Sequence, residues 1–265
     1  MRLRLTTWNV NSVRLREAIL TQAVAALRPD VLCLQEIKIE DERFPSEMAR
    51  GLGFPHLYIH GQKAYHGVAV LSKLPLVECR YMRWCGIDHA RHAVVGLPGG
   101  IELHNLYVPA GGDLPDRTLN PKFAHKLDLL AELAEWFEGR PDPACRRILV
   151  GDLNIAPLET DVWSHTQLLD VVSHTPVEVE ALERLRRSGD FVDAVRAIIP
   201  PEQRLYSWWS YRARDWALSD RGRRLDHIWL SPALSPGLRD ASVLREARGW
   251  AQPSDHVPVS VDLEL

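Results

Sequence analysis

Long hydrophobic runs are missing from this chain. No segment approaches the roughly 18 consecutive apolar residues of a membrane-spanning helix. The start, Met1-Arg2-Leu3-Arg4-Leu5, meets polar Thr6 and Thr7 too soon to form a signal-peptide core. The expected location is therefore cytoplasmic. Cysteine is scarce, with four in 265 residues, and no C-x-x-C spacing occurs. Cys33 lies in the apolar run Val31 to Leu34, and Cys79, Cys85 and Cys145 are scattered. That pattern predicts reduced, mostly structural thiols and no zinc site built from them. There is no internal repeat and no long biased linker, so one domain over residues 1–265 is expected. At 46% hydrophobic and 25% charged residues, the composition excludes a chain that is disordered overall.

Net charge is also small. The formal value of −3 argues against adhesion to nucleic acid through bulk charge. Its distribution is uneven, because Arg184 to Arg224 holds ten Arg, no Lys and five acids, a local +5. The same segment contains Tyr206, Trp208, Trp209, Tyr211 and Trp216. Most charge runs are solvated surface. Cations interleaved with aromatics also suit a nucleic-acid groove, where phosphates need charge and bases or sugars need flat faces. On this segment alone the two readings are evenly matched. Trp208 and Trp209 are adjacent, and in an extended segment neighbours point to opposite sides. One of them is expected to face DNA and the other the core, with Arg212 beside them as a phosphate contact.

Periodicity outlines the elements. Leu3 to Trp8 reads as a strand, and Ser12 is a candidate cap for a helix running to Arg28-Pro29. Val31 to Gln35 is a short buried strand. Strands are also expected at Gly67 to Ser72, Leu76 to Tyr81, Ala93 to Leu97 and Ile101 to Tyr107, with Pro98-Gly99-Gly100 as a hairpin turn. Phe123 to Phe137 and Val177 to Arg187 read as helices. Arg147 to Val150, Leu225 to Leu230, Ala241 to Leu244 and Val257 to Leu263 complete the strands. This is not a regular β-α alternation. It predicts an α/β fold, a four-layered sandwich of two mixed β-sheets flanked by helices.

Polar residues sit at the strand ends. The first strand runs into Asn9-Val10-Asn11, Val31 to Leu34 into Gln35-Glu36, and Ile148 to Gly151 into Asp152-Leu153-Asn154. Asp255-His256 precedes the last strand, and Asp226 interrupts Leu225 to Leu230. Singly, each is an ordinary turn, cap or loop residue, and Asp152 with Asn154 suits an Asx turn. Together they are one acid or amide group per strand. Neighbouring strands lie about 4.8 Å apart, so such ends can converge. Convergence would gather the oxygen ligands that magnesium or manganese prefers, plus one histidine.

The chain resembles the exonuclease III family of apurinic/apyrimidinic endonucleases, within the wider endonuclease/exonuclease/phosphatase group. The residues that carry the resemblance begin with Thr7-Trp8-Asn9-Val10-Asn11 and Arg14. Next come Pro29-Asp30-Val31-Leu32-Cys33-Leu34-Gln35-Glu36-Ile37-Lys38, His60-Gly61-Gln62-Lys63, and Gly67-Val68-Ala69-Val70-Leu71-Ser72. Tyr107-Val108-Pro109, Gly151-Asp152-Leu153-Asn154-Ile155-Ala156-Pro157, Arg224-Leu225-Asp226 and Ser254-Asp255-His256-Val257-Pro258 follow in family order.

The resemblance implies a magnesium- or manganese-dependent DNA-repair phosphodiesterase. It would cut the backbone 5′ of abasic sites, leave a 3′-hydroxyl, and remove nucleotides or blocking groups from 3′ ends. Glu36 would be the main metal ligand, with Asn9, Asp152, Asn154 and Asp255 around the metal. Asp152 would orient or deprotonate the attacking water, and Asn154 would hold Asp152 and the phosphate in register. His256 would contact a phosphate oxygen, and Asp226 would set its tautomer. Tyr107 would assist the leaving oxygen, its alternative being a core tyrosine at a strand end. Asn11, Lys38 and Arg91 would touch phosphates. Two departures stand out. Ala110 replaces a usual amide, and Arg223 falls where relatives carry a bulky apolar residue beside the abasic-sugar pocket that Trp208 and Trp209 line.

The expected partner is duplex DNA with abasic sites or blocked 3′ ends, met by a monomer with no membrane and no obligate protein partner. A phosphatase or phosphodiesterase acting on small or lipid phosphoesters is the enzyme alternative. A catalytically dead DNA-binding module is the alternative of another class, and the complete set of polar residues argues against it.

Overall fold

A computed structural model describes residues 2–142 and 144–265. Its strands are β1 (Arg2–Asn9), β2 (Val31–Gln35), β3 (His56–His60), β4 (Val68–Ser72), β5 (Val77–Tyr81), β6 (His92–Leu97), β7 (Ile101–Tyr107) and β8 (Arg146–Asp152). They continue with β9 (Val192–Asp193), β10 (Trp208–Trp209), β11 (Gly222–Arg223), β12 (Asp226–Leu230), β13 (Leu238–Val243) and β14 (Val259–Glu264). The helices used below are α1 (Glu17–Leu27), α2 (Ser46–Gly51), α3 (Pro121–Glu138), α4 (His165–Leu168) and α5 (Pro176–Ser188).

Two six-stranded sheets form, in the orders β13-β14-β1-β2-β4-β3 and β5-β6-β7-β8-β12-β9. Each is mixed, with one central parallel pair: β1 beside β2, and β7 beside β8. The inner faces meet in one apolar layer that includes Leu3, Leu5, Val31, Cys33, Leu103, Val150, Ile228 and Val261. Outside the first sheet, Trp8, Leu32 and Leu34 pack on Ile19 and Leu20 of α1 and Ala49 of α2. Outside the second, Leu106, Leu149 and Trp229 pack on α3 and α5 through Leu130, Leu133, Leu182 and Leu185. The order of layers is helix, sheet, sheet, helix, as the sequence predicts.

The long helices start where their chemistry allows. Asn120 caps α3 by accepting from the Lys122 N–H, with Pro121 at the first helical position. Thr175 and Glu178 form a capping box at α5. The expected cap at Ser12 is corrected. Ser12 has a positive φ and donates its N–H to the Glu36 carbonyl, and a 3₁₀ turn at Arg14–Arg16 precedes α1. Its backbone is drawn to the end of β2, so the helix begins at Glu17. Strand β3, which the sequence reading leaves out, pairs with β4 at the sheet edge.

Three buried histidines stay neutral. The Trp84 indole donates to His92 Nδ1 (3.1 Å), which leaves the proton of His92 on Nε2, 3.0 Å from His104 Nδ1. His104 Nε2 then meets Glu102 Oε1 at 2.9 Å. Burial lowers the pKa of His92 and His104. It also lowers His227, with help from Arg224, from 6.5 to about 4. Below pH ~6.5 the unfolded chain therefore binds protons that the folded chain does not, and stability falls as pH falls. The melting temperature should drop between pH 7.5 and 5. His227→Asn, which keeps a donor for the Ile155 carbonyl, should flatten that slope. Calorimetry across the range checks both, and an unchanged slope in the variant would remove His227 from the account.

Candidate active site

The polar strand ends gather on one edge of the sandwich. Asn9 ends β1, Glu36 follows β2, Tyr107 ends β7 and Asp152 ends β8. β12 runs antiparallel to β8, which sets Asp226 opposite Asp152 instead of interrupting the strand. Tyr107 is paired with Asp152 in the parallel register. Gly151, at φ 140°, makes the close approach possible, because a Cβ there would overlap the Leu106 carbonyl. Asn11, Glu36, Lys38 and Asn154 all have positive φ, a cluster of uncommon backbone turns around one spot.

One amide links the two sheets. Asn9 Nδ2 donates to Glu36 Oε1 and to Asp152 Oδ2, both at 2.9 Å. Glu36 also accepts from the Tyr107 hydroxyl (2.8 Å) and pairs with Lys38 Nζ (2.8 Å). Burial opposes its ionisation, but Lys38 and the donors from Asn9 and Tyr107 outweigh it, and its pKa is lowered. Lys38 Nζ also reaches Asn11 Oδ1 (2.6 Å), and Asn11 Nδ2 donates to Asp255 Oδ1 (3.0 Å). The other oxygen of Asp255 accepts from the Trp208 indole at 3.0 Å.

Asp152 is buried and accepts from Asn154 twice, through the backbone N–H and through Nδ2, each at 3.0 Å. The first is the Asx turn expected from sequence, so turn and site coexist. Asn154 Nδ2 also donates to the Val108 carbonyl. Burial raises the Asp152 pKa; His256 opposes this, and Asp226 and Glu36 add to it. His256 Nδ1 lies 2.8 Å from Asp226 Oδ2, and its Nε2 lies 3.6 Å from Asp152 Oδ2. Burial works against a charged imidazole here, yet Asp226 and Asp152 dominate and the pKa is raised. Tyr107 moves the same way, held neutral by burial and by the charges of Glu36 and Asp152.

A cleft of about 600 Å³ opens beside this floor. Glu36, Tyr107, Asn154, Asp255 and His256 line it together with Trp208, Arg212, Arg221 and Arg223. The structure sorts the adjacent tryptophans. Trp208 faces the cleft, whereas Trp209 is 1% exposed, packs with Tyr206 and Val257, and donates to Asp220. The expectation of Trp209 as a DNA contact is thus corrected, because β10 places alternate side chains on opposite faces. Arg91 is 7% exposed, stacks 4.8 Å over the Tyr107 ring and donates to the Tyr107 carbonyl, so it braces that residue. The Arg-rich segment divides likewise, with Arg224 and Arg196 buried around Asp161.

Several supporting residues escaped the sequence reading. Ser207 donates to Asp226 Oδ2 at 2.6 Å. Gln35 and Asn105 hydrogen-bond across the sheets beneath the site. Lys126, wholly buried, gives its protons to Glu178, to the Asn154 carbonyl (2.8 Å) and to the Ala110 carbonyl (3.2 Å). The partners of Lys126 lie too far away in sequence to be read from it.

The donors around Glu36 suit a hard divalent cation. They are oxygens of Glu36, Asp255, Asn9 and Asn11, and an ammonium, Lys38, already lies against two of them. His256, Asp152 and Asp226 also bring one potential ligand atom each within 4.8 Å of one another, and none of the four free cysteines belongs to that group.

Comparison with known proteins agrees with this geometry. The Endonuclease/Exonuclease/phosphatase family pattern matches residues 6–256. The chain is 31% identical to Exodeoxyribonuclease III of Haemophilus influenzae, across 97% of this chain and 98% of that protein. It belongs to the exodeoxyribonuclease III family of nuclease-type hydrolases. An AP endonuclease structure from Archaeoglobus fulgidus superposes with a TM-score of 0.91 at 29% identity, covering 99% of this chain and 100% of that one. A Neisseria 3′ phosphatase bound to a product DNA hairpin superposes at 0.89 and 30% identity, with the same coverage. The shared architecture includes both sheets and the layer of helices on each side.

The split between the two tryptophans has a direct test. Trp209→Ala should destabilise by about 3–5 kcal/mol, the cost of emptying a large aromatic site in a core. Trp208→Ala, at the cleft, should lower stability much less. Denaturant titrations of both variants read the difference, and equal losses would contradict the assignment.

Proposed function

We propose that the chain is a magnesium- or manganese-dependent DNA-repair phosphodiesterase that cuts 5′ of abasic sites and processes 3′ ends. One observation carries this reading. The Asn9 amide holds Glu36 and Asp152 together, and Glu36 lines a cleft with Trp163, Trp208, Arg212, Arg221 and Arg223. The names of the relatives support the same class. The whole of residues 1–265 acts as one unit, since the cleft draws on both sheets. Duplex DNA is the partner, taken by a monomer in the cytoplasm. Among the described residues, no helix is long and apolar enough to cross a membrane.

The reaction is in-line attack of water on phosphorus. Asp152, raised in pKa and aimed by Asn9 and Asn154, takes the proton of the water. His256, kept charged by Asp226, donates to a phosphoryl oxygen as negative charge develops. Tyr107 stays protonated, and its one hydroxyl proton, given to Glu36 in the free site, would turn toward the departing 3′ oxygen. Asn11 and Lys38 fix the approach of the phosphate. Glu36, Asn9 and Asp255 would hold a divalent cation, which when bound would neutralise charge at the phosphate. Ala110 presents no side-chain amide, and its carbonyl is held by Lys126. The neighbouring Gly112 lines the cleft with backbone only.

Incubating a 5′-labelled duplex carrying one abasic analogue, with and without EDTA, tests the reading. Cleavage that depends on magnesium or manganese is expected, with far slower turnover of a soluble phosphoester. The reverse preference would favour the small-phosphoester alternative. Asp152→Asn keeps size and hydrogen bonding but removes basicity, and should cost at least ~10²–10⁴-fold in single-turnover rate. A near-normal rate would reduce Asp152 to its turn.

His256 and Asp226 form one unit, so their losses should not add. The double alanine variant should be little slower than the slower single variant. Multiplicative losses in the cleavage rate would instead show two independent roles.

A further inference from the structure

Lys126 is wholly buried on α3, a helix whose other buried residues are all apolar. Its ammonium has three protons and three acceptors: Glu178, the Asn154 carbonyl (2.8 Å) and the Ala110 carbonyl (3.2 Å). An apolar pair would fill the space between α3 and α5 without desolvating two charges, so packing alone gives little reason for an ion pair there. The two carbonyls give one. Both belong to residues that line the cleft. Asn154 has a φ of 53°, which only a special local arrangement holds in a residue with a side chain. Its carbonyl meets Lys126, while its N–H and Nδ2 each hold Asp152 at 3.0 Å. One residue thus joins the ammonium to Asp152. Gly111 closes over the lysine stem, where a Cβ would stand 3.0 Å from Lys126 Cδ. The counter-charge ties in a third stretch of the cleft, since Glu178 accepts the Ser173 N–H at 3.0 and 2.8 Å.

We propose that Lys126 is a positioning residue for the cleavage reaction, aiming Asp152 at the attacking water by holding the Asn154 carbonyl from behind. The inference rests on the DNA-phosphodiesterase reading above and adds to it a residue that never touches substrate. A buried carbonyl that loses a charged donor is left unpaired and turns toward another partner. At Asn154 that rotation carries both donors away from Asp152. The Ala110 loop loosens at the same time, because it loses the same ammonium. Misplacing a reacting group by about 1 Å can cost on the order of 10²-fold in rate, even when the altered residue lies outside the chemistry.

A pair of substitutions separates positioning from stability. Lys126→Met alone leaves Glu178 buried and uncompensated, and should melt early. Adding Glu178→Gln removes that charge yet keeps an oxygen for the Ser173 and Thr175 N–H groups, so melting should return toward wild type. Both carbonyls still lack the ammonium. The double variant should therefore cleave a duplex with one abasic analogue about tenfold or more slowly in kcat, with KM little changed. Glu178→Gln alone, which leaves Lys126 on both carbonyls, should lose far less. In an Asp152→Asn background the double change should slow cleavage little further, because it acts through the same carboxylate. Hydrogen exchange should rise at residues 110–112 and 153–156 of the double variant and hold elsewhere in the second sheet. Wild-type kcat in the double variant, an equal loss in Glu178→Gln, or multiplicative losses with Asp152→Asn would overturn the assignment. If the double variant still melts early, Glu178→Gln against Lys126→Met below their melting temperatures decides. Wild-type protein that cleaves no DNA would instead overturn the underlying reading, and unchanged exchange in the two loops would overturn the anchoring on its own.

Discussion

A single NH₂ group, that of Asn9, spans the seam between the two sheets, and the rest of the site depends on it. Stacked sheets lie about 10 Å apart, too far for backbone groups to meet. A side chain must cross, and Asn9 reaches Asp152 on the second sheet while also holding Glu36 on its own. Both of its protons are thereby used, which fixes the amide orientation and leaves Oδ1 for the Asn11 N–H. Directly beneath, Gln35 and Asn105 make a second polar crossing in an otherwise apolar layer. Buried polar groups of this kind tolerate little displacement, because an unpaired one costs about 1–3 kcal/mol. The register of the two sheets relative to one another is therefore tied to the site.

The cleft gathers charges of both signs. Four carboxylates, Glu36, Asp152, Asp226 and Asp255, converge at the strand ends, and the His256 imidazole lies between Asp152 and Asp226. The same cleft is lined by Arg221 and Arg223, which lie over Trp163 and Trp208. An acidic floor repels a phosphate unless cations stand nearby, and these arginines offer them from side chains whose aromatic partners limit their motion. Trp208 joins the two sets, since its ring lies beside Arg223 and its N–H holds Asp255.

The loops of the site are anchored from behind by a buried ion pair. Removing one partner of such a pair leaves an uncompensated charge, at about 3–5 kcal/mol. Lys126 offsets its burial with three acceptors, two of them main-chain carbonyls of the loops at Ala110 and Asn154. Glu178 in turn caps α5 and accepts from Ser173, the residue that holds Arg223. Helix start, Asn154 and Arg223 thus share one electrostatic support. Flexible loops would hold catalytic groups less well than this arrangement does.

The linear pattern by itself determined the layers and the edge at which chemistry collects. Alternation and 3.6-residue periodicity are local properties, so β1, β7, β8, α3 and α5 were legible within a few residues. Acids and amides placed just past apolar runs marked Asn9, Glu36, Asp152 and Asp255 as a convergent set. Edge strand β3 and the start of α1 were not legible, because sheet pairing and a backbone bond to Glu36 decide them. Two adjacent tryptophans carry no local sign of which one faces inward, and only the pairing of β10 with β11 assigned Trp208 to the cleft. Ser207, Lys126 and Arg221 likewise took their places from partners 16 or more residues away. Periodicity reports which face of an element is buried, whereas hydrogen bonds between distant segments depend on where those faces come to rest.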